Sequence, residues 1–345
     1  MTEGTFTTAA RSRTTLAQIA HDASVSMSTV SKVLNARTGV SNETRVRVEA
    51  LLAAHGYNRP GAENPHGALI ELVFEHIDSP WSLELIRGVE RVARQNGMSV
   101  VLTESGDKHS PAPDWINGVI QRKPVGVILV FSDLAADHKR QLRTRNIPFV
   151  VIDPAGDPAP DVPSIGSANW SGGLLATRHL IEQGHRRIGI ITGPQDMLCS
   201  LARLSGYRSA LEAASIPVDP SLILTGDFIW EAGVARGQEL LSRPDRPTAI
   251  FAGNDQQAMG VYEAARRLGL GIPNDLSVVG YDDVQPAGWV NPPLTTVRQP
   301  LIEMAEEATR LVLKLRNEGH SENLRLDLAI SLVVRGSTQA PIVRE

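Results

Sequence analysis

The amino-acid sequence predicts a small all-α head followed by a larger α/β body that folds as two lobes. Residues 15–56 contain three short helical patterns separated by turn and capping residues. From residue 69 onward, short apolar runs alternate with amphipathic helical patterns, which is typical of parallel sheets covered by helices on both faces. This body has about 280 residues, which is large for one hydrophobic core, so we expect two lobes.

Charge is distributed unevenly between the head and the body. The 345 residues carry a net charge of −4, which taken alone disfavours a nucleic-acid partner. Residues 1–60, however, hold seven Lys and Arg against four Asp and Glu, a net +3, so the remainder carries −7. A basic head on an acidic body therefore leaves DNA open as a partner of the head alone.

Cysteine content and hydropathy bear on the compartment. The single cysteine, Cys199, excludes an intramolecular disulfide and a four-cysteine zinc site. It is also consistent with a reducing environment. The first residues lack the apolar core of a signal peptide, and no apolar run approaches 18 residues. We therefore expect a cytoplasmic protein with no membrane contact.

The head predicts three helices in order. Thr15, Ser26 and Ser41 each stand where a side-chain oxygen can cap the N-terminus of a helix. The second helix is predicted to end near Asn35 and the third at Gly56. Each helix places apolar residues on one side, so the three can share a small core.

The first two helices, joined by a tight turn at 23–25, have the spacing of a helix-turn-helix, whose second helix enters the major groove of DNA. Segment 26–35 has the required apolar inner face and small, polar outer face. A small helical cap without DNA contact explains the pattern alone equally well. On the DNA interpretation, Met27, Ser28, Ser31 and Lys32 face the groove, and phosphate contacts suit Ser24, Thr29, Asn35, Thr44 and Arg45.

Three motifs run in order through more than forty residues of the head. They are T-L-x-x-I-A from Thr15, S-x-x-T-V-S-x-V-L-N from Ser26 and V-S-x-x-T-R-x-R-V from Val40. This run closely resembles the N-terminal module of the LacI/GalR family of transcription regulators. The resemblance implies a helix-turn-helix DNA-binding domain over residues 1–57, ordered from about residue 14, that binds a palindromic double-stranded operator.

Residues 58–68 depart from the family's pattern. Family members usually follow the tyrosine with a short hinge helix whose leucine wedges into the minor groove. Here the stretch after Tyr57 has no leucine before Leu69 and holds two prolines and two glycines, which form helices poorly. We interpret this stretch as a linker. Either it stays extended, with Arg59 near the minor groove, or the DNA is bent less than is usual for the family.

The body contains the elements of two parallel sheets. Apolar runs at 69–74, 125–130, 149–152, 188–191, 249–251 and 277–280 predict strands, and patterns at 83–95, 172–182, 201–214 and 256–268 predict helices between them. In such sheets, ligands bind outside the carboxyl ends of the strands.

The resemblance to the LacI/GalR family continues through the body. Segments 179–194, 202–211, 278–300 and 332–338 all look like the core of this family. The resemblance implies a periplasmic-binding-protein-like body with the ligand between its lobes. Residues 69–345 are accordingly expected to form the effector-binding and dimerisation domain.

Polar residues at strand ends are the candidate effector contacts in the second half of the body. Arg203 stands at the family's effector-contacting arginine, and its planar fork suits a hydroxyl-rich or carboxylate ligand; a surface ion pair is the alternative. Asn254 and Asp255 follow one predicted strand and resemble the pair that other members point at sugar hydroxyls or bases, and Asp282 occupies the end of another strand.

Aromatic and hydroxyl residues complete the candidate set. Trp81 follows the first body strand and can stack on a pyranose or purine face, or else pack against the next helix. Ser79 can offer a hydroxyl beside it. Phe228 matches an aromatic that closes the pocket in relatives. Ser171 can add a hydroxyl contact, although helix capping suits it better.

The whole pattern indicates a repressor of carbohydrate-metabolism genes that works as a homodimer, with a sugar as the small-molecule effector, because sugar induction is the commoner case in this family. The effector either releases DNA or promotes binding. Two rivals are an exported sugar-binding protein, which needs a signal peptide, and an α/β enzyme. No phosphate-binding glycine motif, nucleophile–base pair or metal-ligand spacing supports an enzyme, a cofactor or a metal.

Overall fold

The computed structural model describes residues 15–34, 39–54, 68–105, 115–130, 134–154, 161–319 and 324–342. These residues form two compact units. One holds the described part of the first 67 residues together with Ala135–Pro148, and the other holds the described parts of Ala68–Leu134 and Phe149–Glu345. None of the helices in these ranges is long and apolar enough to cross a membrane.

The head consists of three helices, α1 (Leu16–Asp22), α2 (Met27–Leu34) and α3 (Asn42–Ala54). Each of the three predicted capping residues accepts a backbone N–H three residues further on, at 3.3 Å for Thr15, 3.2 Å for Ser26 and 3.3 Å for Ser41. The capping predictions are therefore confirmed. The predicted helix ends at Asn35 and Gly56 lie outside the described residues.

The apolar faces of the three head helices meet in one core. Ile19 from α1, Val30 and Val33 from α2, and Val48 and Leu52 from α3 are buried together. Because the inner face of α2 is occupied by this packing, its polar residues are left on the opposite side. The turn between α1 and α2 passes through Ser24 with a positive φ of 53°.

The body alternates strands and helices, and no prediction of a helix or strand made from its apolar patterns is contradicted. The elements in chain order are β1 (Ala68–Phe74), α4 (Pro80–Gln95), β2 (Met98–Glu104), α5 (Trp115–Arg122), β3 (Gly126–Val130), α6 (Ala136–Thr144), β4 (Phe149–Ile152), β5 (Ser164–Ser167), α7 (Asn169–Glu182), β6 (Ile188–Thr192), α8 (Leu198–Ala213), β7 (Ile223–Thr225), α9 (Trp230–Leu241), β8 (Ala249–Ala252), α10 (Asp255–Arg267), β9 (Ser277–Asp282), β10 (Thr295–Arg298), α11 (Leu301–Glu318), β11 (Arg325–Leu328) and β12 (Ser331–Val333). Of these, α6 falls in the same compact unit as the head.

The strands form two six-stranded sheets, one in each lobe. The order is β11-β5-β4-β3-β1-β2 in the first lobe and β12-β10-β9-β8-β6-β7 in the second. All pairings are parallel except that of β10 with β12. The expected architecture of two α/β lobes is confirmed.

Helices pack on the sheets through apolar side chains, as expected for parallel sheets, which are normally buried. In the first lobe, α4 and α11 pack on the face that carries Ile70, Leu72 and Phe74. In the second lobe, α9 and α10 pack on one face of the sheet and α7 and α8 pack on the other. Burial on both faces explains why the central strands are continuous apolar runs.

Within the described ranges, the chain passes between the lobes three times. It crosses from β5 to α7 at Ala168, from β10 to α11 at Gln299 and Pro300, and from β11 to β12 at residues 329–330. The crossings are joined to one another: the Ala168 N–H donates to the Leu328 carbonyl at 3.0 Å, and the Ser167 hydroxyl donates to Gln299 Oε1 at 2.6 Å. The first lobe is therefore assembled from two separate stretches of the chain.

The predicted domain boundaries stay predictions. Residues 58–67 of the proposed linker lie outside the described residues, so neither of the two expectations for the hinge is tested. Ala68, the last linker residue, already belongs to β1.

Candidate functional site

Strand ends from both lobes line one cavity of about 370 Å³. The first lobe contributes residues that follow β1, and the second lobe contributes residues from α8, from the segment before α9 and from the ends of β8 and β9. Six of the eight side chains predicted from the sequence as effector contacts line this cavity, and they are Ser79, Trp81, Arg203, Phe228, Asn254 and Asp282.

Arg203 is a buried cation whose hydrogen bonds are mostly internal. Its side chain is 5% exposed; Nε donates to Asn169 Oδ1 at 2.8 Å and Nη1 donates to the Gly253 carbonyl at 2.7 Å. Its Cζ lies 3.7 Å from the centre of the Tyr281 ring, a close cation–π contact. Helices α7 and α8 approach so closely here that a Cβ on Gly173 would lie 2.1 Å from the Arg203 carbonyl oxygen. The alternative of a surface ion pair is wrong, because the guanidinium is buried.

Asp282 ends β9 next to Arg203, with its Oδ1 4.0 Å from Arg203 Nη1. Gln299 Nε2 donates to the same oxygen at 2.6 Å. Burial raises the pKa of Asp282, although Arg203 and Gln299 act in the opposite direction. The residue adopts a positive φ of 113°, a strained conformation for a side chain other than glycine. The buried network of Ser167, Gln299, Asp282 and Arg203 thus connects the cavity to two of the three chain crossings.

Asn254 and Asp255 are adjacent in sequence, but they face different surroundings. Asn254 lines the cavity, caps α10 by accepting the Gln257 N–H at 2.9 Å, and donates to the Phe228 carbonyl at 2.8 Å. Asp255 is fully buried, and its two oxygens accept the Thr296 hydroxyl at 2.6 Å and the Val284 N–H at 2.9 Å. Asp255 is not one of the residues that line the cavity, because both oxygens are directed to β10 and the loop after β9.

The aromatic candidates form opposite walls of the cavity. Trp81 belongs to the first lobe and is also part of the apolar core beneath α4, so the packing interpretation and the cavity interpretation are compatible. Phe228 belongs to the second lobe and has a positive φ of 68°. Its ring lies against Gly193, where a Cβ would approach it to 2.0 Å. The Ser79 hydroxyl accepts the Ser82 N–H at 3.0 Å and therefore caps α4.

Ser171 lies apart from the other candidates. It lines a second cavity of about 370 Å³ together with Asp153, Trp170 and Asp327. Its predicted capping role is wrong, because the N-cap of α7 is Ala168, which makes no side-chain capping bond. Cys199 lines both cavities.

Several polar residues around Arg203 were not predicted from the sequence. Asp153 comes directly after β4, so the rule that ligand-binding residues follow the carboxyl ends of strands could have identified it. Its pKa is raised to about 6: burial is the largest cause and Asp327 adds to it, while Arg203 and hydrogen bonding from Asn169 act in the opposite direction. Within the part of the chain that the structure describes, its buried Oδ2 has no hydrogen-bond partner. Gln299, Asn169 and Tyr281 had no such signal, because they reach the site through tertiary packing.

The predicted groove-facing residues lie on the outer side of α2. Met27 is 56% exposed, and Ser28, Ser31 and Lys32 are also exposed. Ser26, which was assigned only a capping role, brings its hydroxyl within 2.8 Å of the Ser28 hydroxyl. The polar side of α2 is therefore open along its length.

The residues assigned to phosphate contacts that the structure describes lie before α2, in α2 and in the first turn of α3. Ser24 is exposed in the turn before α2, and Thr29 is half-buried near the start of α2. Thr44 and Arg45 are half-buried in the first turn of α3, where Thr44 accepts the Ser41 hydroxyl at 2.8 Å. Asn35 lies outside the described residues.

Two buried histidines hold the C-terminal segment rather than a metal. His185 contacts the Thr248 hydroxyl at 2.8 Å, and its Nε2 lies 3.0 Å from both the Ser277 hydroxyl and the Gln339 carbonyl. His179 contacts the Thr338 hydroxyl at 2.9 Å. Over the described ranges, no group of three His, Cys, Asp or Glu residues is arranged to hold a metal ion.

Family models match both parts of the chain. The model for bacterial regulatory proteins of the lacI family matches residues 15–60, and the model for the periplasmic binding protein-like domain matches residues 177–338. The HTH-type transcriptional repressor CytR of Escherichia coli K12 is 35% identical over 330 residues, which cover 94% of this chain and 96% of that protein.

Solved structures agree with these matches. A complex of the transcriptional regulator CelR with cellobiose is 34% identical, has a TM-score of 0.71 and aligns over 94% of this chain and 100% of that one. The lac repressor dimer bound to operator and an anti-inducer is 26% identical, with a TM-score of 0.68 over 95% of this chain and 99% of that one.

The fold and the site define a regulator that joins a helix-turn-helix head to a periplasmic-binding-protein-like body. Its curated relatives are transcriptional repressors. The chain belongs to the lacI family of bacterial regulatory proteins. It is a DNA-binding transcription regulator and not an enzyme.

Proposed function

We propose that this protein represses genes of carbohydrate metabolism from the cytoplasm, and that a sugar bound between the lobes controls its operator binding. The observation that carries the proposal is the cavity of about 370 Å³. Its wall contains six of the side chains that strand ends and family motifs predict as effector contacts. A volume of this size suits a small ligand. The cellobiose bound to the related CelR supports a sugar as the effector class.

Each cavity residue has a proposed role in effector binding. Trp81 and Phe228 supply apolar surfaces on opposite sides of the ligand, which suits the faces of a pyranose or another ring. Arg203, Asn254 and Asp282 supply polar contacts, and Ser79 adds a hydroxyl at the first-lobe side. Ser171 and Asp255 do not line this cavity and are not assigned to effector binding; Asp255 instead holds the loop after β9 by accepting the Val284 N–H.

The chain crossings connect the ligand cavity to the segments that join the two lobes. Asp282 accepts Gln299 Nε2, and Gln299 accepts the Ser167 hydroxyl, so a change at the ligand reaches two crossings directly. Ligand closure changes the lobe geometry and, in the proposed homodimer, therefore the spacing of the two heads. A differential binding energy of about 5 kcal/mol reverses occupancy almost completely, and a smaller coupling only tunes it.

On the DNA side, we propose that Met27 and Ser28 contact base edges and that Lys32 reaches a guanine or a phosphate. Ser31 lies on the same face. Phosphate contacts are assigned to the residues around this face, which are Ser24, Thr29, Asn35, Thr44 and Arg45. A single head offers one recognition helix, whereas a palindromic operator needs two, so a homodimer is proposed. The lac repressor dimer bound to its operator supports this assembly.

A mobility-shift titration on DNA from upstream of the gene, repeated with a panel of sugars, tests the proposal. We expect a specific shift whose affinity changes with one sugar, and the direction of the change distinguishes an inducer from a corepressor. Arg203→Ala should keep the shift and lose the sugar response, with Arg178→Ala, an exposed arginine on α7, as the matched control. A normal sugar response in Arg203→Ala would move the effector site elsewhere.

A further inference from the structure

The effector cavity is lined by many more carboxylates than cations. Among the described residues in its wall, the acids are Glu75 and Asp78 from the first lobe and Asp227, Glu231 and Asp282 from the second. The basic residues in the same list are Arg203 and the exposed His76, whose Nε2 lies 3.8 Å from Glu75 Oε1. Acidic groups therefore face the cavity from both sides of the cleft.

The one buried cation does not offset this charge for an incoming anion. Arg203 already donates through Nε to Asn169 and through Nη1 to Gly253, and it stacks on Tyr281. A carboxylate or phosphate that used Nε or Nη1 would have to displace one of these internal bonds. Asp282 also lies close to the guanidinium, with 4.0 Å between Nη1 and Oδ1.

Burial already disfavours negative charge at the inner end of the site. It raises the pKa of Asp282, the acid of the cavity wall that lies beside Arg203. An anionic ligand would add repulsion where this carboxylate is poorly solvated. A ligand that presents O–H or N–H donors would instead satisfy it.

Resting on the effector role proposed above, we infer that this cavity selects a non-anionic, donor-rich molecule and rejects the phosphate ester or carboxylate of the same molecule. Asp227 and Glu231, both exposed at the second-lobe side, are the residues that discriminate at the entrance. The interpretation of Arg203 as a site for a carboxylate ligand is set aside, and the hydroxyl-rich ligand is kept.

Matched pairs of ligands test this selectivity. Ribose, glucose, cellobiose and adenosine are titrated calorimetrically into the full-length protein at low salt, each beside its own phosphate ester. We expect at least one parent compound to bind and its ester to bind at least about 10-fold more weakly, because each nearby charge changes affinity several-fold. An ester that binds as tightly as its parent, or more tightly, would overturn the inference while leaving the effector role intact.

A charge-neutralising variant assigns the effect to the entrance. In the double variant Asp227→Asn/Glu231→Gln, the difference in affinity between the parent compound and its ester should shrink by about 3- to 10-fold at low salt. The reduction should be smaller at 0.5 M NaCl, because salt screens exposed charges. The control is Glu182→Gln/Glu212→Gln, which removes two exposed carboxylates that are not among the residues lining the cavity. An unchanged gap in the first double variant would refute the role of these two residues. If no member of any pair binds while operator binding persists, the sugar-effector proposal fails, and this inference fails with it.

Discussion

Asp153 follows β4 as a fully buried acid whose Oδ2 has no hydrogen-bond partner among the described residues. Burial raises its pKa from the ordinary 3.8 to about 6, and the nearby Asp327 adds to the shift. The folded protein therefore holds a proton that the unfolded chain releases. As pH rises from about 4 to about 6, the free energy of unfolding falls, because only the unfolded state gains by ionisation.

Replacing Asp153 with Asn removes this penalty without changing the shape of the side chain. The backbone here has a positive φ of 44°, a conformation that Asn tolerates well. The shift of about two pH units corresponds to about 3 kcal/mol at pH 8 and to about half of that at pH 5. Asp153→Asn should therefore have a higher free energy of unfolding than the parent protein, and this difference should grow by about 1.5 kcal/mol between pH 5 and pH 8.

Urea unfolding followed by tryptophan fluorescence measures this difference. All five tryptophans lie in the body, so the signal reports on the unit that contains Asp153. Asp227→Asn, at an exposed aspartate, is the control and should change stability by less than about 0.5 kcal/mol at either pH. A variant whose advantage does not depend on pH, or that is less stable than the parent at pH 8, would refute the reasoning.

Three further predictions concern the response, the DNA face and the C-terminal segment. Arg203→Ala should abolish the effect of the effector in a mobility shift while changing operator affinity less than about 3-fold, and loss of operator binding would contradict the assignment. Lys32→Ala and Ser28→Ala should each weaken operator binding by about 5- to 100-fold, with Arg47→Ala as an exposed control, while calorimetry finds effector affinity unchanged. Burial lowers the pKa of His185 from 6.5, so its contribution to stability is complete above pH 6.5 and is lost as pH falls. His185→Gln should reduce the slope of melting temperature against pH below pH 6.5. An unchanged slope would contradict the role of His185 in this pH dependence.

The central strands were predictable because their environment leaves a simple pattern. Strands such as β3 and β8 are buried on both faces, and a continuous apolar run is the direct result. The edge strands β2 and β11 were not predicted, because three residues of each are exposed and their sequences mix polar with apolar residues. The helix caps in the head were predictable because capping depends on local geometry alone.

The site was only partly predictable for a related reason. The strand-end rule located Asn254 and Asp282, but it does not say where a side chain points, and Asp255 points away from the cavity toward Thr296. Gln299 and Asn169 join the site because the chain crosses between the lobes beside them. These contacts join residues 17 and 34 positions apart in the sequence, so no local pattern encodes them.

The three crossings also constrain how the protein can be made. Because α11 and β11 complete the first lobe, its core stays incomplete until most of the second lobe has been synthesised. A nonsense mutation near residue 300 would remove β11 and α11, including Met304 and Val312, from a lobe whose other five strands, β1 to β5, all lie more than a hundred residues earlier. Neither lobe is a continuous gene segment, so exchanging one lobe between relatives requires splicing at all three crossings.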